Sequence, residues 1–381
     1  MQVNNTPIGP DMTTPLLELD LAACRARQRR LLDALQTQEL DLLIVTQIEH
    51  VQWLAGPRFQ WYFQPAAALT ADGRLFLVAP RKWQGQAAAD EVARYDAQWH
   101  STLRNDQRAA ATQVLVEMLA SLPTPRRVGV EFSTCGRRLP WTTGVEWVDV
   151  EPELFRQRRR KDADELARIR RAIAATGSMY QRAREIIQPG VSELEVFSAL
   201  QTAAVAELGE MLTGTGNDYQ CGSRGGPPRQ GRVAEAGELY ILDLGPAFRG
   251  YFADNCRTFA VSEASTVQQE AWSWVMRALE HVERHARPGK SCRELFNEVQ
   301  ALLDQAPCGV FNHHLGHGIG LFPHEAPHLN PNWDDVFQVG DVFTAEPGLY
   351  APELRTGMRI ENDYLVTETG VERLSNFSHE L

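Results

Sequence analysis

Four carboxylates in the second half of the chain stand in two copies of one pattern, and their spacing suits metal-assisted chemistry. Gly237-Glu238-Leu239-Tyr240-Ile241-Leu242-Asp243 is echoed by Gly340-Asp341-Val342-Phe343-Thr344-Ala345-Glu346. Each is a glycine, an acid, an apolar or β-branched run and a closing carboxylate. A second echo follows each copy. Gly250-Tyr251-Phe252-Ala253-Asp254-Asn255 and Gly357-Met358-Arg359-Ile360-Glu361-Asn362 place an acid, then an asparagine, at the same distance from a glycine. An acid that ends a buried strand is costly unless something compensates it. Asp243 and Asp254 bracket a turn-rich segment, Gly245-Pro246 to Arg249-Gly250, and an antiparallel hairpin can bring both to one face. Glu346 and Glu361 bracket Pro347-Gly348 and a longer loop in the same way. Four such charges repel strongly in dry surroundings. Two divalent cations about 3.5–4 Å apart would neutralise them and are a recurrent hydrolytic device.

The segment from Phe311 to Pro327 adds His313, His314, His317 and His324. His317 sits between Gly316 and Gly318, residues that let a backbone come close to a ligand, and is the candidate fifth protein ligand. His324 and His313 are then placed to handle protons or to polarise a carbonyl. His281 and His285 read as structural or solvated. Oxygen donors with one imidazole suit manganese, cobalt, iron or zinc.

These residues need elements to hold them. Residues 17–35 have helical spacing, and Leu42-Leu43-Ile44-Val45 and Leu75-Phe76-Leu77-Val78 are runs of buried-strand type. A helix over 109–122 and a strand at 128–131 complete an α/β half. A long helix is expected over 162–187, with Leu166, Ile169, Ile173, Tyr180 and Ile187 on one face. Pro189-Gly190 stops it, and Ser192 with Glu195 opens the next helix as a capping box. The device recurs at Pro288-Gly289, Ser291 and Glu294, so each Gly-to-acid pattern follows the same signal. The order of these echoes favours an internal duplication, with the acids meeting at a pseudo-twofold axis.

A chain of 381 residues exceeds one ordinary core. The expected division is a loose tail at 1–15, an α/β domain at 16–152 and a second domain at 153–381. A net charge of −11 argues against a nucleic-acid partner. The basic run from Arg158 to Lys161 reads as the solvated start of a helix, because Asp162, Asp164 and Glu165 follow it. No apolar run approaches the roughly 20 residues of a membrane span. The N-terminus lacks a basic stretch followed by an apolar one, and the six cysteines form no CxxC pair. A cytoplasmic protein with free thiols is expected.

Several motifs together resemble the pita-bread metallopeptidases, which include aminopeptidase P, prolidase, methionine aminopeptidase and the non-peptidase creatinase. They are Asp243-Leu244-Gly245, Gly250-Tyr251 with Asp254, Arg257 and Thr258, Gly316-His317-Gly318-Ile319-Gly320, His324-Glu325 with Pro327, Glu346-Pro347-Gly348-Leu349-Tyr350 and Arg359-Ile360-Glu361. The resemblance covers the chain from about Glu153 onward, and the upstream half looks like a creatinase-type N-terminal domain. It implies an α+β pita-bread catalytic domain with Asp243, Asp254, His317, Glu346 and Glu361 as ligands of two metals, manganese first among them. Asp254 and Glu361 would bridge, a hydroxide between the metals would attack the scissile carbonyl, and Glu346 would accept its proton. It also implies that His324 meets the scissile amide, that His313 belongs to an Xaa-Pro enzyme, and that Tyr350 and Arg359 line the site.

One departure stands out. Peptidases of this kind usually carry a further histidine before the first aspartate, whereas no histidine occurs between Gly214 and Asp243. Arg224, Arg229 or Arg232 is available instead, and an arginine there would bind an anionic group such as a substrate carboxylate; Arg229 is taken as the candidate. Cys256 stands where threonine is common. The expected activity is a dinuclear-metal hydrolase of small peptides, most simply an Xaa-Pro aminopeptidase or dipeptidase. The alternative is a hydrolase or lyase of the same fold acting on a non-peptide small molecule, as ectoine-hydrolase-like relatives do. The aromatic segment from Trp53 to Phe63 is of a kind that reaches across a dimer in this family, so a homodimer is expected.

Overall fold

The computed structural model describes residues 17–135, 139, 144–216 and 218–381, and the tail expected at 1–15 lies outside them. The chain forms two compact units, one ending at Leu154 and the other running Phe155–Leu381.

The first unit is built on a six-stranded sheet in the order Glu91–Tyr95, Leu75–Pro80, Ala66–Thr70, Leu42–Val45, Arg127–Val130, Glu146–Asp149. Leu42–Val45 runs antiparallel to Ala66–Thr70 and parallel to Arg127–Val130. The three strands Leu42–Val45, Ala66–Thr70 and Leu75–Pro80 are buried along their whole length, which is why their sequences are continuous apolar runs rather than alternating ones. Helix Gln107–Leu119 lays Ala111, Leu115 and Leu119 on the core formed by Leu42, Ile44 and Phe76. Helix Leu21–Thr37 is capped by Asp20, whose carboxylate accepts from the Ala23 N–H at 2.9 Å. In the aromatic segment, Trp53 is fully buried and the Phe59 ring meets Trp83 at 5.6 Å, whereas Trp61 is 80% exposed.

The second unit opens with helix Ala163–Ile186, started by an Asp162/Glu165 capping box and burying Ile169, Ile173 and Tyr180; Leu166 and Ile187 are half-buried. Helix Glu193–Leu208, capped by Ser192, packs against it. Next comes an antiparallel sheet in the order Asn255–Ala260, Leu239–Leu244, Asp218–Cys221. A second helix pair, Thr266–His285 and Cys292–Leu303, lies on a five-stranded antiparallel sheet: Glu325–Leu329, Gly316–Gly318, Val342–Ala345, Asn362–Val366, Val371–Arg373.

Several backbone hydrogen bonds recur at corresponding places in the two halves of this unit. The Gly190 N–H donates to Ala234 O at 2.8 Å, and the Gly289 N–H to Phe337 O at 3.0 Å. The Gly237 N–H donates to Val261 O at 2.8 Å, and the Gly340 N–H to Val366 O at 2.9 Å. Between its acids each half carries a short two-stranded ribbon, Ala247–Phe248 with Tyr251–Phe252 and Gly348–Leu349 with Met358–Arg359. These paired features are what supports reading the second half as a repeat of the first.

The basic run is not solvated as expected. Arg158 and Lys161 are buried against the Glu325 carboxylate, Lys161 Nζ at 3.2 Å, and Arg159 meets Asp341 at 2.7 Å. Their acidic partners lie far along the chain, where local charge patterning cannot reveal them. Only Arg160 of the run is exposed.

Candidate metal centre

Each hairpin delivers its acids where its strands stop pairing. Asp243 lies near the end of Leu239–Leu244, opposite Cys256, and Asp254 is the residue that enters the partner strand. Ala345 pairs with Asn362, so Glu346 leaves one strand beside Glu361 entering the other. The hairpins are stitched together: the Glu361 N–H donates to Cys256 O at 2.9 Å, and the Thr258 hydroxyl donates to Arg359 O at 2.9 Å. The result is a cavity of about 550 Å³ whose lining includes Asp243, Asp254, Glu346 and Glu361.

His317 reaches this cavity from strand Gly316–Gly318, and its flanking glycines are required by crowding. A Cβ at Gly316 would stand 2.0 Å from Thr344 O, and one at Gly318 2.1 Å from Ala326 O. His317 Nδ1 lies 3.0 Å from Gly318 O, an atom that can only accept, so the proton is on Nδ1 and Nε2 is left bare. Burial drives this imidazole well below its usual pKa, so it is neutral. Its Nε2 stands 3.6 Å from Asp254 Oδ2 and 3.7 Å from Glu346 Oε1. A neutral imidazole held by a backbone carbonyl with its other nitrogen facing carboxylates is a metal-ligand posture.

The carboxylates are under-compensated. Burial, and then the charges of neighbouring acids, hold Asp254 and Glu361 well above the usual carboxylate range. Burial is also the main reason that Glu346 is pushed up to about 8. Glu361 Oε2 is buried without a hydrogen-bond partner, and so is Oδ1 of Asp363, a neighbour of Asp254. Arg359 is the only guanidinium among the described residues within 4 Å of Asp243 or Glu346, and one charge cannot balance four. Ligand atoms of His317, Glu346 and Glu361 lie within 4.8 Å of one another, as do those of Asp254, His317 and His324. Orphaned carboxylate oxygen, bare imidazole nitrogen and excess negative charge together fit divalent cations.

Around the acids, Arg359 forms a hub. Its Nη2 donates to Asp243 Oδ2 at 2.7 Å and to Asp218, and its Nη1 donates to Tyr350 OH at 3.1 Å. His313 Nδ1 donates to His314 O at 2.8 Å, so its Nε2, 3.0 Å from Tyr350 OH, accepts the phenolic proton. Burial lowers His313 to about 3, in keeping with a neutral ring committed at both nitrogens. His313 therefore holds the Tyr350 hydroxyl in this structure. His324 stacks on His317 with ring centroids 3.6 Å apart, and no described residue bonds its nitrogens.

Asp218 and His314 line the cavity without having been singled out in the sequence; His314 Nδ1 is 3.2 Å from Glu346 Oε1. His314 lay inside the histidine-rich segment, whereas Asp218, the first residue of strand Asp218–Cys221, carried no signal. Cys256 packs with Ile241 and Tyr350, and burial pushes its thiol far up.

Arg229 is not brought to the cavity. It binds the fully buried Glu193 carboxylate, Nη2 to Oε1 at 2.6 Å, and donates to Cys221 O at 2.7 Å. Helix Glu193–Leu208 starts with that buried acid, and only a guanidinium this close can neutralise it. The arginine of the loop that does line the cavity is Arg224. Replacing Arg229 with methionine is expected to cost about 3 kcal/mol of stability, the low end for a broken buried pair because its outer face is in water. Burial raises the Glu193 pKa, but Arg229 and the backbone N–H groups of Arg229 and Cys221 outweigh it and hold the carboxyl low. Its stabilising share is thus present above about pH 4.5 and lost on acidification through the folded value. Urea midpoints of both proteins at pH 7 and pH 4 check this; equal midpoints at pH 7 would refute it.

Comparison with known proteins agrees with this architecture. Residues 167–368 match metallopeptidase family M24, and residues 27–160 match the creatinase/prolidase N-terminal domain. A probable dipeptidase PepE of Mycobacterium tuberculosis is 32% identical over 237 residues, 60% of this chain and 61% of that protein. An Xaa-Pro dipeptidase of Lactobacillus delbrueckii is 31% identical over 225 residues, 58% of this chain and 61% of that protein. The chain thus spans about three fifths of the length of the curated relatives it matches. The prolidase structure from Pyrococcus horikoshii superposes with a TM-score of 0.76 at 21% identity, covering 93% of this chain and 99% of that one, which shows a shared fold. With more than half of its length matched by the family domain and a creatinase-type domain ahead of it, the chain belongs to metallopeptidase family M24.

Proposed function

We propose that this protein is a hydrolase of short peptides with Xaa-Pro bonds, working with two divalent metals, manganese foremost, held by Asp243, Asp254, His317, Glu346 and Glu361. Family M24 uses divalent metals. The observation that carries the reading is the bare Nε2 of His317 facing under-compensated carboxylates in a cavity of peptide size. When bound, the metals would supply Lewis acidity for the scissile carbonyl and a more acidic water.

The chain's own groups account for the rest. Glu346, whose Oε1 lies 3.7 Å from His317 Nε2 on the cavity wall, is placed to take a proton from a water bound there. His324 presents an uncommitted imidazole to the same space and is suited to pass a proton to the leaving nitrogen. Arg359 fixes Asp243 and Tyr350, and His313 fixes the Tyr350 hydroxyl from the other side. The dipeptidase names of the relatives support a small substrate.

The test is a panel of Xaa-Pro dipeptides, Xaa-Pro tripeptides, N-acyl amino acids and cyclic amidines, offered to protein loaded with manganese or cobalt. Release of the residue before proline is the expected result. A protein that retains metal yet leaves every peptide intact would overturn the peptidase assignment, and turnover of the non-peptide amides alone would replace it.

A further inference from the structure

The loop from Gly222 to Gly226 is bound into the cavity wall. Asp218 Oδ1 accepts the Gly226 N–H at 2.7 Å, and Arg359 Nη1 donates to Arg224 O at 3.2 Å. A Cβ at Gly225 would stand 2.1 Å from Asp218 Oδ2, and the residue's φ of +140° also favours glycine, so the loop closes directly over that carboxylate. The same arginine that fixes Asp243 thereby fixes the backbone of Arg224.

The Arg224 side chain is placed just as firmly. Its guanidinium lies over the Tyr350 ring, 4.0 Å from the centroid, and donates to Asn312 Oδ1. The residue is exposed and lines the cavity, and among the described residues its guanidinium has no carboxylate within ion-pair distance. Arg355, in the adjoining cleft, is by contrast already engaged with Ala236 O at 2.9 Å and Glu235 at 3.5 Å. The stacked guanidinium at the cavity rim can attract a substrate carboxylate and is pre-organised for two-point binding.

We propose that Arg224 anchors a free carboxylate of the substrate, so that the leaving residue of the peptide is also its last. This rests on the peptidase reading for the word peptide, but the recognition itself is a binding property. It narrows the substrate class to dipeptides and their analogues.

Two measurements test it on the full-length, metal-loaded chain. Calorimetric titration with proline and with prolinamide is expected to give tighter binding of the acid by about tenfold or more, as befits a charge-assisted hydrogen bond. Arg224→Gln should erase that gap, Arg224→Lys should keep part of it, and Arg355→Gln should leave it intact. The ratio of kcat/KM for Ala-Pro over Ala-Pro-amide should follow the same order. A gap that survives Arg224→Gln, or acid and amide weakened equally by it, overturns the anchor. If Arg224 governs proline binding while neither peptide is cleaved, the peptidase reading fails and the anchor stands. If both peptides are cleaved alike and no gap exists in the unaltered chain, the anchor fails and the peptidase reading stands.

Discussion

Glu361→Gln is expected to strip the protein of tightly held divalent metal and to lower peptide hydrolysis on the order of a thousandfold. An amide keeps the shape but supplies neither the charge nor the second lone-pair oxygen that a shared ligand needs. Metal content per chain and kcat/KM on one Xaa-Pro dipeptide measure the two effects. A variant that retains the parent's metal content would remove Glu361 from the ligand set. A third readout has the opposite sign. In metal-free protein the same substitution should raise the melting temperature, because it removes a buried, partnerless carboxylate oxygen from among like charges.

The same crowding sets a pH dependence. Burial and neighbouring acids hold Asp254 and Glu361 high in the folded state, and Glu346 sits at about 8, against about 4 for such acids in an unfolded chain. Between those values the folded metal-free protein binds more protons than the unfolded one, so its stability falls as pH rises from about 4.5 towards about 8. Metal-saturated protein should lose far less over that interval. Denaturant midpoints with and without chelator at pH 5 and pH 8 decide it.

The second large effect is expected at Arg359. Arg359→Met would take the guanidinium away from Asp218 and Asp243, at about 3–5 kcal/mol of stability, and release both Tyr350 and the Arg224 backbone. Metal affinity should fall about 10- to 100-fold, as when an outer partner of a ligand is lost. Arg359→Lys should recover little, because an ammonium cannot span Asp218, Asp243 and Tyr350 from one point. A metal titration that leaves affinity unchanged in both variants would reduce Arg359 to a packing role.

The four acids were readable because a hairpin that gathers carboxylates at one cavity leaves a linear trace: a glycine turn, a buried strand, then a carboxylate where pairing ends. The helices at Ser192 and Ser291 were readable for the same kind of reason, since a capping box is written in four residues. What could not be read depended on partners remote in sequence. Arg158 and Lys161 look like surface charge until Glu325 is brought to them. Choosing among Arg224, Arg229 and Arg232 required the path of a loop with left-handed glycines at Gly222, Gly225 and Gly226, and the buried Glu193 that claims Arg229. Asp218 was missed because its meaning comes from Arg359, which the chain reaches far downstream.

The proposed ligand residues begin at Asp243 and end at Glu361, with a helix pair and most of a second sheet between them. No nascent or nicked fragment ending before Val342 contains both glutamates. Ion capture by the proposed ligand set would therefore have to wait until both halves have docked, and would then add its free energy to the completed molecule alone. Stoichiometric cation in a purified sample would become a census of correctly assembled chains, independent of any assay of turnover.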